Sequence, residues 1–491
     1  MKNRTSLLLP HVSKRGVYGL EFLTPFSALE TQRNVPLVRK REVAKVGKRV
    51  VAIAFLLLFV AKIIFAQNID TVQFNKWITA NSIELKETEN SGFSQLAKVL
   101  NDKTVVGLGE CVHGSKTINN LRIEIAKTLI EKSDFNNIAV EMSFNTGLKI
   151  NHFLQTGEGD IEQILKESHF FLNSEEMLNF IKWIKQYNDH SEKQIAFYGF
   201  DIQSNIDLVE DLKTFYAKTD KDAENLTATL ISIITNNGGI WSFGEYPDLL
   251  QDSVMKIISR LTEKHILNRK NYIFNTNFVE YEYSAKRIET LSNCLQMANS
   301  GYGGSLKMRD SCNAELVRWI KEFEGEKSKI ILLAHNGHLG KSYKFYPRVR
   351  TLSVQGFYED YPKDFFTGYY LSKIFDDKYY FIGTQFGTGF FMGYAPDNDY
   401  LLSKLEVTAP EPYSLTYLLQ LAANRSPYFI DLHAYKSSTR QEIDYLRSLQ
   451  GFYEIGAAYD YKYAKARLVE YFDAIIYIDK IEESNLREFD E

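Results

Sequence analysis

The stretch Gly107-Leu108-Gly109-Glu110-Cys111-Val112-His113-Gly114 decides the reading of this chain. A short apolar run, Thr104–Val106, precedes it, and a helical pattern starts near Lys116. A strand that ends in Gly-x-Glu-x-x-His and leads into a helix puts an acid and an imidazole at a βα turn. In open α/β sheets ligands bind at such strand ends. The pattern recurs three times. The run Asn137–Val140 ends on Glu141, Ile195–Tyr198 leads to Gly199-Phe200-Asp201, and Lys329–Ala334 ends on His335-Asn336-Gly337-His338. If these strands are parallel, their titratable ends converge on one edge of the sheet.

From Asn205 to Phe323 no strand is evident. Amphipathic stretches Ile206–Lys218, Ala223–Ile234, Asp248–Lys264, Tyr272–Asn299 and Asp310–Phe323 predict a helical insertion, about 205–325. Gly301-Tyr302-Gly303-Gly304-Ser305 follows a helical stretch rather than a strand and reads as a turn, not as a phosphate loop. Later strands are expected at Thr351–Phe357, Tyr379–Phe386, Tyr428–Leu432 and Ala474–Ile478, and one or two short helices at Phe74–Leu100. The expected fold is therefore α/β, with a mostly parallel central sheet flanked by helices. The expected domain division is an N-terminal extension and signal peptide over 1–66, a helical segment over 67–102 and one domain carrying the strand-end residues over 103–491.

The N-terminal expectation rests on Arg39-Lys40-Arg41, Lys45, Lys48 and Arg49 ahead of the apolar run Val50–Ala61, with a plausible cleavage after Ala66. Lys62 interrupts a run already short for a membrane span. The chain is thus expected to be exported, periplasmic or secreted, touching a membrane only through residues 50–66 if they stay uncleaved. A net charge of −4 gives no basic face for nucleic acid. Three cysteines, Cys111, Cys294 and Cys312, form no C-x-x-C, which disfavours a thiolate zinc site. Export would allow Cys294 and Cys312 to pair. Cys111 is either a nucleophile or a small residue suited to a tight turn.

An imidazole beside a carboxylate is the best-matched general base for activating water near neutral pH. Glu110, three residues before His113, supplies the carboxylate, and Glu141 can reach it from another strand. His335 or His338 can stabilise a developing oxyanion or protonate a leaving group. Arg122 lies nine residues beyond His113, about 13 Å along a helix at roughly 1.5 Å per residue, so it is expected to reach back only partly. The same histidines and carboxylates, with Asp201, can hold a metal, although no single element carries a His-Glu-x-x-His ligand pair. Asn336 also fits a turn that needs a residue tolerating positive φ. No Gly-x-Ser-x-Gly elbow is present.

Gly109-Glu110-Cys111-Val112-His113-Gly114, Arg122, Ala139-Val140-Glu141, Gly199-Phe200-Asp201, Arg309-Asp310 and Ala334–His338, in this order and spacing, resemble the erythromycin esterase family. The similarity continues through Ser414 and Phe472–Tyr477 and covers about Lys103 to Ile478. The chain departs from the family pattern at Cys111 and at Leu316, where an Asn is common. The resemblance implies hydrolysis of an ester, possibly a macrolactone, by a His113-activated water without metal or other cofactor. Glu110, Glu141, Arg122 and His335 would complete the catalytic site, with Asp201, Asn336, His338 and Arg309 binding a small-molecule ester. The alternatives are a metal-dependent hydrolase using the same cluster and a periplasmic binding protein with a degenerate site.

Overall fold

Six apolar runs lie side by side in one sheet. In the computed structural model they are β2 (Val105–Glu110), β3 (Asn137–Ser143), β4 (Ala196–Asp201), β5 (Ile330–His335), β7 (Tyr379–Gly393) and β12 (Ala474–Ile481). The structure describes residues 70–86, 92–342, 346–349, 366–396, 399–433, 440–459 and 462–487. The expected extension 1–66 and the expected strand Thr351–Phe357 lie outside them. Among the described residues, no helix is long and apolar enough to cross a membrane.

The sheet order is β1-β9-β12-β7-β2-β5-β3-β4, with β8 (Ser403–Val407) pairing β7. Every pairing from β12 to β4 is parallel. Antiparallel β9 (Tyr428–Asp431) and the short β1 (Ser82–Glu84) complete one edge. Helices cover both faces, so the strands are apolar on both, as parallel strands must be. Ile330, Leu332 and Ala334 belong to one core, and Ile331 and Leu333 to the other. Both expectations of fold class hold: a mixed α/β chain with a mostly parallel sheet, and a helical region between β4 and β5.

That region contains Asp207–Thr219, Lys221–Asn236, Asp248–Leu267, Arg269–Asn275, Phe278–Asn299 and Gly301–Phe323. Two local readings need correction. Gly301–Ser305 is the first turn of a helix, not a free turn. The stretch from Tyr272 to Asn299 breaks before Phe278, where the Asn277 side chain caps the following helix by accepting from Glu280 N.

The path of the chain creates the site. It moves outward from β2 to β3 and β4, returns to β5 between β2 and β3, then crosses to β7 and β12 on the far flank. The reversal places the crevice between the ends of β2 and β5, where ligands of open sheets bind. Glu110 and His335 are register partners there. A separate antiparallel sheet, β10 (Leu449–Tyr453), β11 (Tyr463–Arg467) and β6 (Tyr346–Val349), lay outside the sequence expectations. Its residues after β10 pair with the βα turn: Ile455 N and Gly456 N donate to Cys111 O, and His113 N donates to Gly456 O.

Candidate active site

Strand β2 runs through Gly107-Leu108-Gly109 rather than stopping before it, and so delivers Glu110 at its last position. Glu110 Oε1 lies 2.7 Å from His113 Nδ1, and Glu110 Oε2 accepts from Arg122 Nη2 at 2.5 Å. Both acid and imidazole are buried, His113 at 7% exposure. Arg122 reaches Glu110 fully, against the expectation from axial distance. The helix starts only at Lys116, so Arg122 is about 9 Å along it, not 13. Its remaining assigned donors go to Asn119 Oδ1 and to the carbonyls of Leu108 and Ala334. Arg122 is therefore an interior support of Glu110.

His335 ends β5 and faces His113, with ring centroids 5.1 Å apart. Its Nδ1 accepts the Gly337 N–H at 3.0 Å and lies 3.2 Å from Glu454 Oε1. Its backbone N–H donates to Glu141 Oε2 at 2.8 Å. The other Glu141 oxygen takes His338 Nε2 at 3.1 Å and Arg309 Nη2 at 3.3 Å. Arg309, from the helical region, also grips Asp201: its Nε lies 3.1 Å from both oxygens and its Nη2 2.5 Å from Oδ2. His338 Nδ1 lies 2.8 Å from Asp310 Oδ1, which also accepts from the Thr367 hydroxyl and N–H.

This ionic cluster is strongly polarised. Burial pushes the Glu141 carboxyl up, but His338, His113 and Arg309 outweigh it and hold it well below the usual range. Burial likewise raises Asp201, and Arg309 overrides it to leave the carboxyl lowered. Burial lowers the His338 imidazole, yet Glu141 and Asp310 raise it to about 10. The Glu141–His338 pair is one interaction seen from both partners, and both shifts mean an ion pair at neutral pH.

The structure thus brings Glu110, His113, Arg122, Glu141, Asp201, Arg309, His335 and His338 into one connected cluster. Asn336 is the exception. It is fully buried, donates from Nδ2 to Thr384 O at 3.2 Å and accepts from Thr384 N at 3.3 Å. It ties the end of β5 to β7 across the intervening β2, and both of these side-chain bonds are made within the protein. Gly109 makes room for it, since a Cβ would lie 2.2 Å from Asn336 Oδ1. The turn reading also fails: Asn336–Leu339 is a helical turn, and neither Asn336 nor Gly337 has positive φ. Gly337 is needed for space, because its Cβ would sit 2.9 Å from His335 Nδ1.

Three neighbours were missed from sequence. Phe171 stacks on His113 with centroids 4.1 Å apart and planes 11° from parallel, and His169 lies parallel to Phe171 with centroids 5.5 Å apart. Glu454 is 1% exposed. A charge set among the apolar residues Phe452, Tyr453 and Ile455 is its only sequence signal. The cysteines are free: Cys294 and Cys312 do not pair, and Cys111 is fully buried. Burial first, then Glu454 and Glu110, push the Cys111 thiol well above its ordinary value, which disfavours the thiolate that a nucleophile needs. Among the described residues, no group of three or more His, Cys, Asp or Glu is arranged to hold a metal.

A family profile described as Erythromycin esterase matches residues 130–481. Erythromycin esterase type II of Escherichia coli is 24% identical over 295 residues, 55% of this chain and 70% of that protein. A putative hydrolase of Bacillus subtilis is 24% identical over 386 residues, 73% of this chain and 81% of that one. Two solved structures share the fold. A Bacillus cereus protein has a TM-score of 0.72 at 21% identity, covering 86% of this chain and 100% of its own. A mutant erythromycin esterase in its open conformation has a TM-score of 0.62 at 18% identity, covering 83% and 99%. With a profile match over most of its length, and with the motif residues gathered at one switch point, the chain belongs to the erythromycin esterase family of hydrolases.

Proposed function

We propose that this protein hydrolyses a small-molecule ester by a water that His113 activates directly, without a metal ion. The observation that carries the reading is the Glu110–His113–His335 arrangement at the sheet's switch point. An imidazole whose Nδ1 is tied to a carboxylate at 2.7 Å presents Nε2 as the base. Arg122 fixes Glu110 from behind, so the imidazole keeps one orientation. His113 takes a proton from water, and the resulting hydroxide attacks the ester carbonyl. The Glu110 carboxylate balances the imidazolium. His335, one ring away, stabilises the oxyanion or protonates the leaving oxygen. Arg309, whose Nε and Nη2 are taken by Asp201 and Glu141, offers its remaining nitrogen Nη1 to the substrate's polar groups or the carboxylate product, and His338, held at both nitrogens by Glu141 and Asp310, keeps that frame in place.

The metal-free part of the reading is supported by how the carboxylates are spent. Glu141 and Asp201 share the Arg309 guanidinium, and Glu110 holds Arg122, so a metal would have to displace permanent cations. A macrolactone is one candidate ester, by analogy with the esterases this chain resembles. Export, through the basic and apolar segment before Gln67, would place the enzyme where it meets incoming esters. Sequencing the N-terminus of the native mature protein tests that placement. The direct test of function is a hydrolysis screen of simple esters and macrolides on purified protein, with metal analysis and with chelator. Ester hydrolysis that survives chelation supports the reading. Stoichiometric zinc or manganese, with activity lost on its removal, overturns the metal-free mechanism. No hydrolysis of any ester overturns the assignment.

A further inference from the structure

A hydrogen bond at Nδ1 alone does not aim an imidazole. Glu110 holds His113 Nδ1 at 2.7 Å, but the ring can still turn about that contact, because the terminal torsion of a histidine side chain is broad. The plane of the ring is set elsewhere. Phe171 lies flat on His113, with centroids 4.1 Å apart and planes 11° from parallel. One contact fixes the Nδ1 atom and the other fixes the plane, and together they fix the direction of Nε2. The phenyl ring is itself held. Phe171 meets Phe170 edge-on at 5.5 Å, and buried Phe170 meets Tyr394 edge-on at 5.1 Å. Leu172 N and Asn173 N both donate to His169 O, at 2.9 Å and 3.2 Å, which winds the segment into a tight turn. Beyond it the backbone is laced to the C-terminal segment: Arg487 N donates to Asn173 O at 3.0 Å, and Glu175 N to Asn485 O at 2.9 Å.

We propose that Phe171 is a positioning residue of the water-activating step, acting through His113. It keeps the imidazole plane in the one orientation that turns Nε2 to the water, and it offers a π face to the cation that forms. The proposal rests on the ester-hydrolysis reading. In the step concerned, an O–H bond of water breaks and its proton goes to His113 Nε2. The water oxygen forms its bond to the ester carbonyl carbon, and the carbonyl π electrons move to the carbonyl oxygen. His113 is then an imidazolium, with the Glu110 carboxylate at its edge and the Phe171 ring on its face. The two neighbours act on different parts of it: the carboxylate on the N–H bond, the quadrupole of the phenyl ring on the delocalised charge. The charge appears only as the step proceeds, so the π contact is stronger in the transition state than before it. Such a contact lowers the barrier rather than tightening substrate binding. A branched aliphatic side chain fills much of the same space and has no such face, which separates this role from simple packing.

The test uses the full chain, p-nitrophenyl butyrate as substrate, and the variants Phe171→Leu and Phe171→Tyr. Phe171→Leu keeps an apolar side chain and loses the ring face. It should lower kcat roughly tenfold, equal to about 1.4 kcal/mol on the barrier, within the range of cation–π contacts, and leave KM unchanged. Phe171→Tyr keeps the face and should recover most of the wild-type kcat. Equal losses in the two variants, or a wild-type kcat in Phe171→Leu, overturn the proposal. A loss that falls on KM alone also overturns it, because Phe171 would then be a substrate contact. Ring-proton spectra of the wild-type chain labelled at histidine, with the His113 signals identified by their absence in His113→Asn, test it without any Phe171 variant. A phenyl ring stacked at 4.1 Å moves those protons upfield of the ordinary imidazole range, which supports the proposal, and ordinary shifts overturn it. If the wild type does not hydrolyse this ester, the esterase reading fails for it, and the ring-current shift alone decides whether Phe171 holds His113.

Discussion

The two halves of the candidate site are built from the same residue types and behave differently. On one side, Glu141, Asp201 and Asp310 meet Arg309 and a His338 that is raised to about 10. Every charge there has a fixed counter-charge, so this half is an ionic scaffold. On the other side, Glu110 and Glu454 each reach the Nδ1 of an imidazole, and the two rings stand 5.1 Å apart. An imidazole with both nitrogens against carboxylates, as His338 has, is part of a frame, whereas His113 meets a carboxylate at Nδ1 alone and keeps Nε2 for proton transfer. If that distinction is right, substitutions in the imidazole half lower rate and spare stability, and substitutions in the ionic half do the reverse.

The largest expected effect is His113→Ala. Loss of a general base costs roughly 10²–10⁴-fold in kcat. The side chain sits at a crevice against Phe171 and supports no strand pairing of its own, so thermal unfolding should change little. Ester turnover and a melting curve on the same preparation check both halves of the statement. A folded variant with near-normal kcat would remove His113 from the chemistry.

Next in size is Asp201→Ala, read as stability. Asp201 is 1% exposed and makes three contacts within 3.1 Å to Arg309. Removing one partner of a buried ion pair leaves the other charge uncompensated, at a cost of about 3–5 kcal/mol. Glu141, which retains Arg309, places the expectation at the lower end of that range. Urea unfolding measures it. A stability unchanged from wild type would mean that the ionic half is not a scaffold.

A pH series sharpens the same point. The folded His338 is raised above the ordinary imidazole value, so its contribution is fully present below pH about 6.5 and is lost as pH rises through about 10. Glu141 is lowered, so its contribution is present above the ordinary carboxyl range and lost as pH falls through its own depressed value. Both describe one ion pair, and its stabilisation counts once. The Tm difference between wild type and His338→Gln should therefore shrink from pH 7 to pH 10. A difference constant across that window would mean that His338 is neutral in the folded protein.

Much of the ionic half was legible in the sequence, and less of the imidazole half. Glu110, Glu141, Asp201 and His335 end apolar runs, and strand ends in a parallel sheet converge by geometry alone. The helical stretch carrying Arg309 was legible from its pattern, but its start at Gly301 was not. Three glycines in five residues look like a turn, and they form the first turn of the helix instead, with Gly301 and Gly304 exposed. Glu454 and Phe171 were invisible because tertiary contact puts them there. Glu454 arrives from a small sheet whose pairing spans more than a hundred residues, from β6 to β11. Asn336, which the resemblance puts among substrate-binding residues, bonds to Thr384 in a hollow that Gly109 on a neighbouring strand leaves, and that contact too is set by tertiary packing. Local pattern reports which face a residue takes, and it is silent about which distant element will cover that face.

The smallest expected effect belongs to the residue most conspicuous in the motif. Cys111 stands between Glu110 and His113, where a reactive thiol would be well placed if it were exposed and ionised. It is neither. Its backbone N–H donates to Thr384 Oγ1 at 3.1 Å, and Thr384 Oγ1 donates to its Sγ at 3.8 Å, on the buried side of the turn. Burial and the two flanking acids, Glu454 and Glu110, hold the proton on sulfur. Cys111→Ala removes one buried atom from the core without touching either dyad. The expected result is a kcat indistinguishable from wild type and a stability loss near the ordinary point-mutation value of about 1 kcal/mol. Iodoacetamide should not label the folded protein at this position. Rapid alkylation, or a loss of turnover as large as that of His113→Ala, would move the chemistry from an activated water to a thiol and dissolve the division between the two halves of the site.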